Sequence, residues 1–226
     1  MLESVWPKIE VKDRPQATEA QPYVRSYVFM RFAIGVLGVV LPPALVFVEP
    51  LLFDGQPFPR GSLSAYYYSG MRELFVGVLW AIGVFLVTYK IGDGSREGRL
   101  STYAGAAVIL VALFPTGRPG DRVTPTPLQD LLGETAVERI HFGAAAVFIA
   151  SLVPITYYFG KYDPDRRRFH YGCAAVICVA LVLAGFAGIT GEPDKGLLIA
   201  EWVAVWAFGA SWLTKGFEPD VLLGRS

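Results

Sequence analysis

The sequence is poor in charge and in the residues that build redox or metal centres. Only 18% of its residues are charged, against about 25% in an ordinary soluble domain. Twenty basic residues balance twenty acidic ones, which gives no indication of a basic face for nucleic acid. The two cysteines, Cys173 and Cys178, share one apolar segment at a spacing that fits neither a redox nor a zinc motif. We therefore interpret both as small packing residues.

Apolar sequence, in contrast, is abundant, at 53% of the chain. A helix that crosses about 30 Å of hydrocarbon needs roughly 20 mainly apolar residues. Six segments have or approach that length, and they are residues 27–48, 69–89, 100–115, 140–160, 169–190 and 196–214. None of them alternates with the period of two that barrel strands require. The sequence predicts an all-α integral membrane bundle of six transmembrane helices.

The charged residues at the ends of these segments predict the domain organisation and the orientation. Residues 1–26 form a polar tail, residues 27–215 the transmembrane domain and residues 216–226 a short second tail. Thirteen basic residues fall on the side of both tails and six on the other side, so the positive-inside rule predicts that both termini are cytoplasmic. The first apolar run is longer than the core of a signal peptide. We expect a multi-pass protein of a bacterial inner (plasma) membrane.

Polar residues inside or beside the predicted helices fall mostly at one level, in the outer half of the membrane. They are Glu49, Ser62, Ser64, residues 66–68, Arg72, Glu73, Glu134, Glu138, Arg139, His141, Glu192, Asp194 and Glu201. Ionisable groups at such depth are costly unless they are paired or hydrated, so they indicate a functional site. The alternative is that they are separate interfacial residues that reach the headgroups.

We select seven of these residues as the candidate pocket, and they are Ser64, Tyr68, Arg72, Glu73, Glu138, His141 and Glu201. Glu201 carries most of this prediction, because an unpaired carboxylate within an apolar helix faces a strong solvation penalty. We expect it to face the bundle interior, within direct or one-water reach of His141, Arg72 or Glu73. Ser64 favours a turn or helix cap over a catalytic nucleophile, since no Gly-x-Ser-x-Gly motif surrounds it.

Glu138 and His141 have the most suggestive chemical spacing. Residues three positions apart share a helix face, so the two side chains can converge on one metal ion or one proton. With Glu73 and Glu201 they form a candidate metal set of one nitrogen and three oxygen ligands. That mixture suits a harder divalent cation better than structural zinc. The alternative is a hydrogen bond between Glu138 and His141 that fixes one helix.

Several stretches together resemble a family of small uncharacterised bacterial membrane proteins near the DRAM-like (damage-regulated autophagy modulator) grouping. They are SLSAYYYSGMRELFVG at 62–77, LFPT at 113–116, Ile140-His141, Glu201-Trp202, WAFG at 206–209 and SWLTKG at 211–216. This resemblance implies the multi-spanning architecture and no particular activity.

A more distant similarity is to the alkaline ceramidase and adiponectin-receptor superfamily of metal-dependent hydrolases. Ser64 matches the serine of their Ser-x-x-x-His motif, whereas Tyr68 occupies the histidine position. The last helix offers Glu201 and no histidine, so a three-histidine zinc site cannot be built.

Three hypotheses about function follow from the sequence. The first is an outward-facing polar pocket that binds or passes a small solute, an ion or a lipid headgroup. The second is a metal-dependent membrane hydrolase that acts on lipid, and the third is a structural or assembly subunit. Membrane lipids are the expected partners, and the sequence leaves a homo-oligomer open. We also expect a short amphipathic surface helix at residues 128–132, within the longest connection.

Overall fold

The computed structural model describes the backbone of residues 17–53, 58–89, 96–120, 123–190 and 195–217, and the side chains of these ranges except 17–25 and 188–190. These ranges contain seven α-helices and one 3-10 helix at Ser64–Tyr68. The α-helices are α1 (Ala17–Leu52), α2 (Arg72–Thr88), α3 (Arg96–Leu113), α4 (Pro127–Leu132), α5 (Glu134–Lys161), α6 (Arg167–Thr190) and α7 (Gly196–Gly216). The described residues contain no strand. The predicted all-α class is confirmed.

Each of the six predicted apolar segments corresponds to one long helix, namely α1, α2, α3, α5, α6 or α7. By length and composition, four described helices could cross a membrane: residues Ser26–Leu52 of α1, all of α5, residues Arg167–Ala187 of α6, and α7. The remaining two are less suitable, because α2 has only 17 residues and α3 begins with charged residues. Helix α1 also begins at Ala17, inside the predicted polar tail.

The six long helices form a closed ring. Each packs against the next one in the chain, in the order α1, α2, α3, α5, α6 and α7, and α7 returns to pack against α1. Short helix α4 lies on the side of α5. Completely buried side chains on five different helices, including Ile34, Leu86, Val108, Leu152 and Ile177, belong to the apolar interior. Because α7 packs against α1, the first and last helices of the bundle are direct neighbours.

Glycines allow two of these helix pairs to approach closely. A Cβ atom on Gly35 of α1 would lie 2.6 Å from the backbone nitrogen of Leu213 in α7. A Cβ atom on Gly105 of α3 would likewise lie 2.6 Å from the carbonyl oxygen of Gly83 in α2. In lipid, helices associate through close packing and interhelical hydrogen bonds rather than through apolar burial. These glycines thus set the distance between neighbouring helices.

Hydrogen bonds across helix pairs reinforce the ring. The Ser101 hydroxyl donates to the carbonyl oxygen of Leu86 at 2.7 Å, which links α3 to α2. The His170 imidazole and the Ser211 hydroxyl, both fully buried, lie 2.8 Å apart and link α6 to α7. Such bonds satisfy polar groups that would otherwise be unpaired in an apolar surrounding.

Replacement of Gly105 by alanine is expected to destabilise the bundle. The added methyl group would contact backbone, which cannot move aside cheaply, and overpacking of this kind costs about 1–3 kcal/mol. Gly77→Ala in α2 is the matched control, because a Cβ atom there meets nothing within 4 Å. The thermal unfolding midpoint of the purified protein in detergent should fall for Gly105→Ala and stay or rise for Gly77→Ala. Equal midpoints for the two variants would contradict this account of the α2–α3 contact.

Candidate functional site

The candidate residues lie near the end of the ring where α2, α5 and α7 begin. Residues 58–71, which we call the connecting segment, lead into α2 at this end and include the 3-10 helix. Leu63, Ser64, Tyr66 and Tyr67 are buried although they belong to a connection. The connecting segment is therefore part of the packed interior and not a surface loop.

A buried ion pair attaches the connecting segment to α1. The Nη2 atom of Arg60 lies 2.7 Å from Oε1 of Glu49, and its Nε atom lies 3.0 and 3.2 Å from the two carboxylate oxygens. The side chains of Glu49 and Arg60 are only 1% and 6% exposed. A buried charge is tolerated when it is paired and hydrogen-bonded in this way. The candidate set omitted both residues, although Glu49 is among the polar residues that the sequence singles out beside the helices.

Glu201 attaches the same segment to α7. Its Oε2 atom accepts a hydrogen bond of 2.6 Å from the backbone nitrogen of Leu63, and the backbone amide of Ser64 is close enough to act on the carboxylate electrostatically. These amides stand at the start of the 3-10 helix, where backbone N–H groups lack partners within the helix. A carboxylate at that position is favourable because it both accepts the Leu63 bond and faces the positive end of the helix dipole.

The expected direct contacts of Glu201 are absent. Within the described part of the chain, no hydrogen bond or ion pair joins its carboxylate to His141, Arg72 or Glu73. The backbone amide of Leu63 instead compensates for the lost hydration of the carboxylate. Every residue except proline has a backbone amide, so residue types do not show which amide will bind a carboxylate. Only side-chain partners could therefore be predicted from the sequence.

Glu201 does face the interior, where it lines a cavity of about 390 Å³. All six ring helices contribute to the wall, for example through Leu41, Leu79, Val108 and Ala180, and the connecting segment contributes Leu63 and Ser64. Among the described residues of the lining, Ser64 and Glu201 are the only ones with polar side chains. The cavity is thus an apolar chamber with one carboxylate and one hydroxyl, and the other five candidate residues do not line it.

Part of the cavity wall lies at the surface of the bundle. Phe142 and Ala146 on α5 and Gly185 on α6 line the cavity and are exposed. α5 and α6 are neighbours in the ring. The described residues therefore leave the cavity open sideways between these two helices, rather than only along the axis of the bundle.

Arg72, Glu73 and Tyr68 do not line this cavity. Arg72 donates to the Tyr67 hydroxyl at 2.8 Å, and its guanidinium lies 4.4 Å from the centre of the Tyr67 ring. Arg72 and Glu73 are both exposed. Tyr68 donates to the carbonyl oxygen of Thr116 at 2.8 Å. Burial raises the pKa of the Tyr68 phenol.

The predicted surface helix at 128–132 is confirmed as α4, and it reaches the connecting segment. Thr126 and Gln129 form a capping box at its start. Gln129 is 3% exposed, and its side-chain amide donates to the Tyr68 hydroxyl at 2.8 Å. Leu131 and Leu132, in contrast, are exposed. α4 therefore holds one polar side chain inward and presents leucines outward.

His141 links α5 to the end of α3. Its Nδ1 atom lies 2.6 Å from the carbonyl oxygen of Phe114, and its side chain is only 1% exposed. Because a carbonyl only accepts, Nδ1 carries the proton, and the buried Nε2 atom has no hydrogen-bond partner in the described part of the chain. Glu138 packs over Gly117 instead of bonding to His141. The expected Glu138–His141 hydrogen bond is therefore absent.

The candidate metal set is not assembled in the structure. Among the residues with described positions, no three His, Cys, Asp or Glu side chains are grouped so that they could hold a metal ion. Glu73, Glu138, His141 and Glu201 are all described, and they have separate surroundings. Glu192 and Asp194 lie outside the described residues. Comparison of the chain with protein-family models, with characterised proteins and with solved structures found no match.

Removal of the Glu201 acceptor is expected to destabilise the protein. In Glu201→Leu the Leu63 amide would be buried without a partner, which costs about 1–3 kcal/mol. In Glu201→Gln the side-chain carbonyl can still accept this bond, so most of the stability should remain. Thermal unfolding in detergent provides the comparison, with Glu73→Leu as a control at an exposed carboxylate. A Glu201→Leu protein as stable as the wild type would show that the bond to Leu63 is not important.

Proposed function

We propose that the chain is a multi-pass protein of a bacterial inner membrane, with six transmembrane helices and both termini in the cytoplasm. Four helices are long and apolar enough by themselves. Helices α2 and α3 belong to the same closed ring, so they lie beside helices that cross. The charged residues Arg96, Glu97 and Arg99 all fall in the first turn of α3, where headgroups are within reach. The excess of basic residues on the side of the tails supports the orientation.

Labelling of single cysteines in intact cells tests whether α2 and α3 cross. In a background without Cys173 and Cys178, cysteine is placed at three exposed positions, Gly61, Arg99 and Leu131. A maleimide that cannot cross the membrane should label positions 61 and 131 but not position 99. If α2 and α3 stay on one side of the membrane, all three positions will behave alike, and the six-span proposal is wrong.

Within this membrane protein, we propose that the cavity between the ring helices binds an amphiphilic molecule that enters from the bilayer. The composition of the cavity wall is the observation that carries the proposal. An apolar chamber of about 390 Å³ with Ser64 and Glu201 at one place suits an apolar chain that ends in a hydrogen-bond donor or a cation. The opening between α5 and α6 faces the side of the bundle, which is where a molecule dissolved in lipid would arrive.

Of the other two hypotheses, the structure favours the structural role over the hydrolase. The bond of Glu201 to the connecting segment is that of a clamp between helices, which is what a structural subunit requires. The four candidate metal ligands have separate surroundings, so no observation supports the metal-dependent hydrolase. A ligand test must therefore distinguish binding in the cavity from a clamp alone.

Filling the cavity should prevent binding without loss of the fold. A photoreactive long-chain primary amine, reconstituted with the protein in vesicles, serves as the probe. Ala145 of α5 lines the cavity, whereas Ala150 on the same helix is exposed and does not. Ala145→Phe should reduce crosslinking about tenfold or more, as expected for loss of a filled apolar site, while Ala150→Phe leaves it unchanged.

The role of Glu201 is tested with two probes of equal chain length. Glu201→Gln keeps the acceptor for Leu63 but removes the negative charge. It should therefore weaken crosslinking of the amine and not that of the corresponding alcohol. Equal crosslinking of Ala145→Phe and Ala150→Phe would contradict binding in the cavity and would favour the clamp.

A further inference from the structure

A second cavity, of about 600 Å³, lies at the opposite end of the ring, where α3 begins and α2, α5 and α7 end. Four cationic side chains and one acidic side chain line it, and the remaining lining residues are aromatic. The charged members are Arg31, Arg96, Lys161, Lys215 and Glu97. The excess of positive charge favours an anionic ligand, because a cleft concentrates the electrostatic field of the cations that line it.

Glu97 also requires a hydrogen-bond donor from the ligand. Its side chain is 8% exposed, and its buried Oε1 atom has no hydrogen-bond partner among the residues that the structure describes. Lys215, Arg31 and Lys161 act on the carboxylate electrostatically, but none of them lies within ion-pair distance of it. Buried acceptors in native proteins nearly always have a donor. The cavity therefore contains an acceptor that a ligand could satisfy.

Two of the cations around this acceptor, Arg31 and Lys161, contact other groups of the protein. The Nε atom of Arg31 donates to the Tyr89 hydroxyl at 3.0 Å. Lys161 Nζ lies 5.8 and 5.5 Å from the ring centres of Tyr158 and Tyr162, within the range of a cation–π contact. Side chains fixed in this way lose little conformational freedom when a ligand binds.

We propose that this cavity binds a phosphate group that carries a nearby ammonium group, which is the chemistry of phosphoethanolamine. The phosphate oxygens would lie among Arg31, Arg96, Lys161 and Lys215, since guanidinium and ammonium groups bind phosphate well. The ammonium N–H groups would donate to Oε1 of Glu97. Such a group is present both in the headgroup of phosphatidylethanolamine and in soluble phosphate esters. Basic pockets between helices on the cytoplasmic side are a known type of headgroup site.

Calorimetric titration of the purified full-length protein tests the chemistry, with phosphoethanolamine and inorganic phosphate as probes. Phosphoethanolamine should bind the wild type more tightly. Arg96→Gln should weaken both probes by about three- to tenfold, as the loss of one charged contact does. Arg99→Gln is the matched control, because Arg99 is also exposed and belongs to the same turn of α3 but does not line the cavity.

The Glu97→Gln variant tests the part of the proposal that concerns the ammonium group. It should remove the preference for phosphoethanolamine and leave the binding of inorganic phosphate unchanged or stronger. Absence of binding of both probes, a preserved preference in Glu97→Gln, or equal effects of Arg96→Gln and Arg99→Gln would each overturn the proposal. Arg96 is exposed, so its variant remains decisive if Glu97→Gln does not fold.

Nanodiscs with equal amounts of phosphatidylethanolamine and phosphatidylcholine identify the source of the group. The headgroup of phosphatidylcholine has no N–H donor and cannot satisfy Glu97. If the ligand is a lipid, native mass spectrometry should show phosphatidylethanolamine enriched over phosphatidylcholine on the wild type and not on Glu97→Gln, while Arg96→Gln should carry less of both lipids. Titratable binding of phosphoethanolamine without lipid enrichment assigns the site to a soluble ester, and absence of both overturns the proposal.

Discussion

The connecting segment 58–71 is held at the end of the ring by two carboxylates, and the arrangement of that end depends on them. Glu49 of α1 binds the guanidinium of Arg60, and Glu201 of α7 binds the amide of Leu63. α1 and α7 are neighbours in the ring, so the first and the last helix of the bundle both contact the connecting segment. Because charges and amides in an apolar surrounding must be paired, these contacts cannot be exchanged for water as they would be on a soluble surface. Leu63 and Ser64 consequently form one wall of the interior cavity.

The helices were predictable because their cause is local. A run of apolar residues long enough for the hydrocarbon has to be helical, and all six runs are, as is the short segment at 128–132. The partner of Glu201 was not predictable in this way, since a backbone amide has no residue-type signal. The Glu49–Arg60 pair did leave a signal, namely two ionisable residues next to apolar sequence. Their pairing depends on the path of the chain between them, which the sequence does not specify.

The candidate pocket illustrates a second limit, which is that sequence gives the position of a residue along its helix but not the direction of its side chain. Successive residues of a helix point in different directions around its axis. Of the seven candidate residues, only Ser64 and Glu201 line the cavity. His141 points to the end of α3, and Arg72 points to Tyr67. Rotation of each helix is fixed by packing, here by contacts such as that of Gly105 with Gly83, and these contacts involve residues that are distant in sequence.

Glu97 and Glu201 show how the same solvation penalty can have two outcomes. Both carboxylates belong to ring helices and have neighbours that lower the cost of burial. Glu201 has a main-chain donor at 2.6 Å and therefore needs no further partner for that oxygen. Glu97 has cations around it but no donor for Oε1 among the described residues. A charge can be balanced at a distance, whereas a hydrogen bond requires a donor in contact. The unsatisfied oxygen at the basic end is thus the reason to propose a ligand there, whereas the satisfied one at the other end helps to hold the fold.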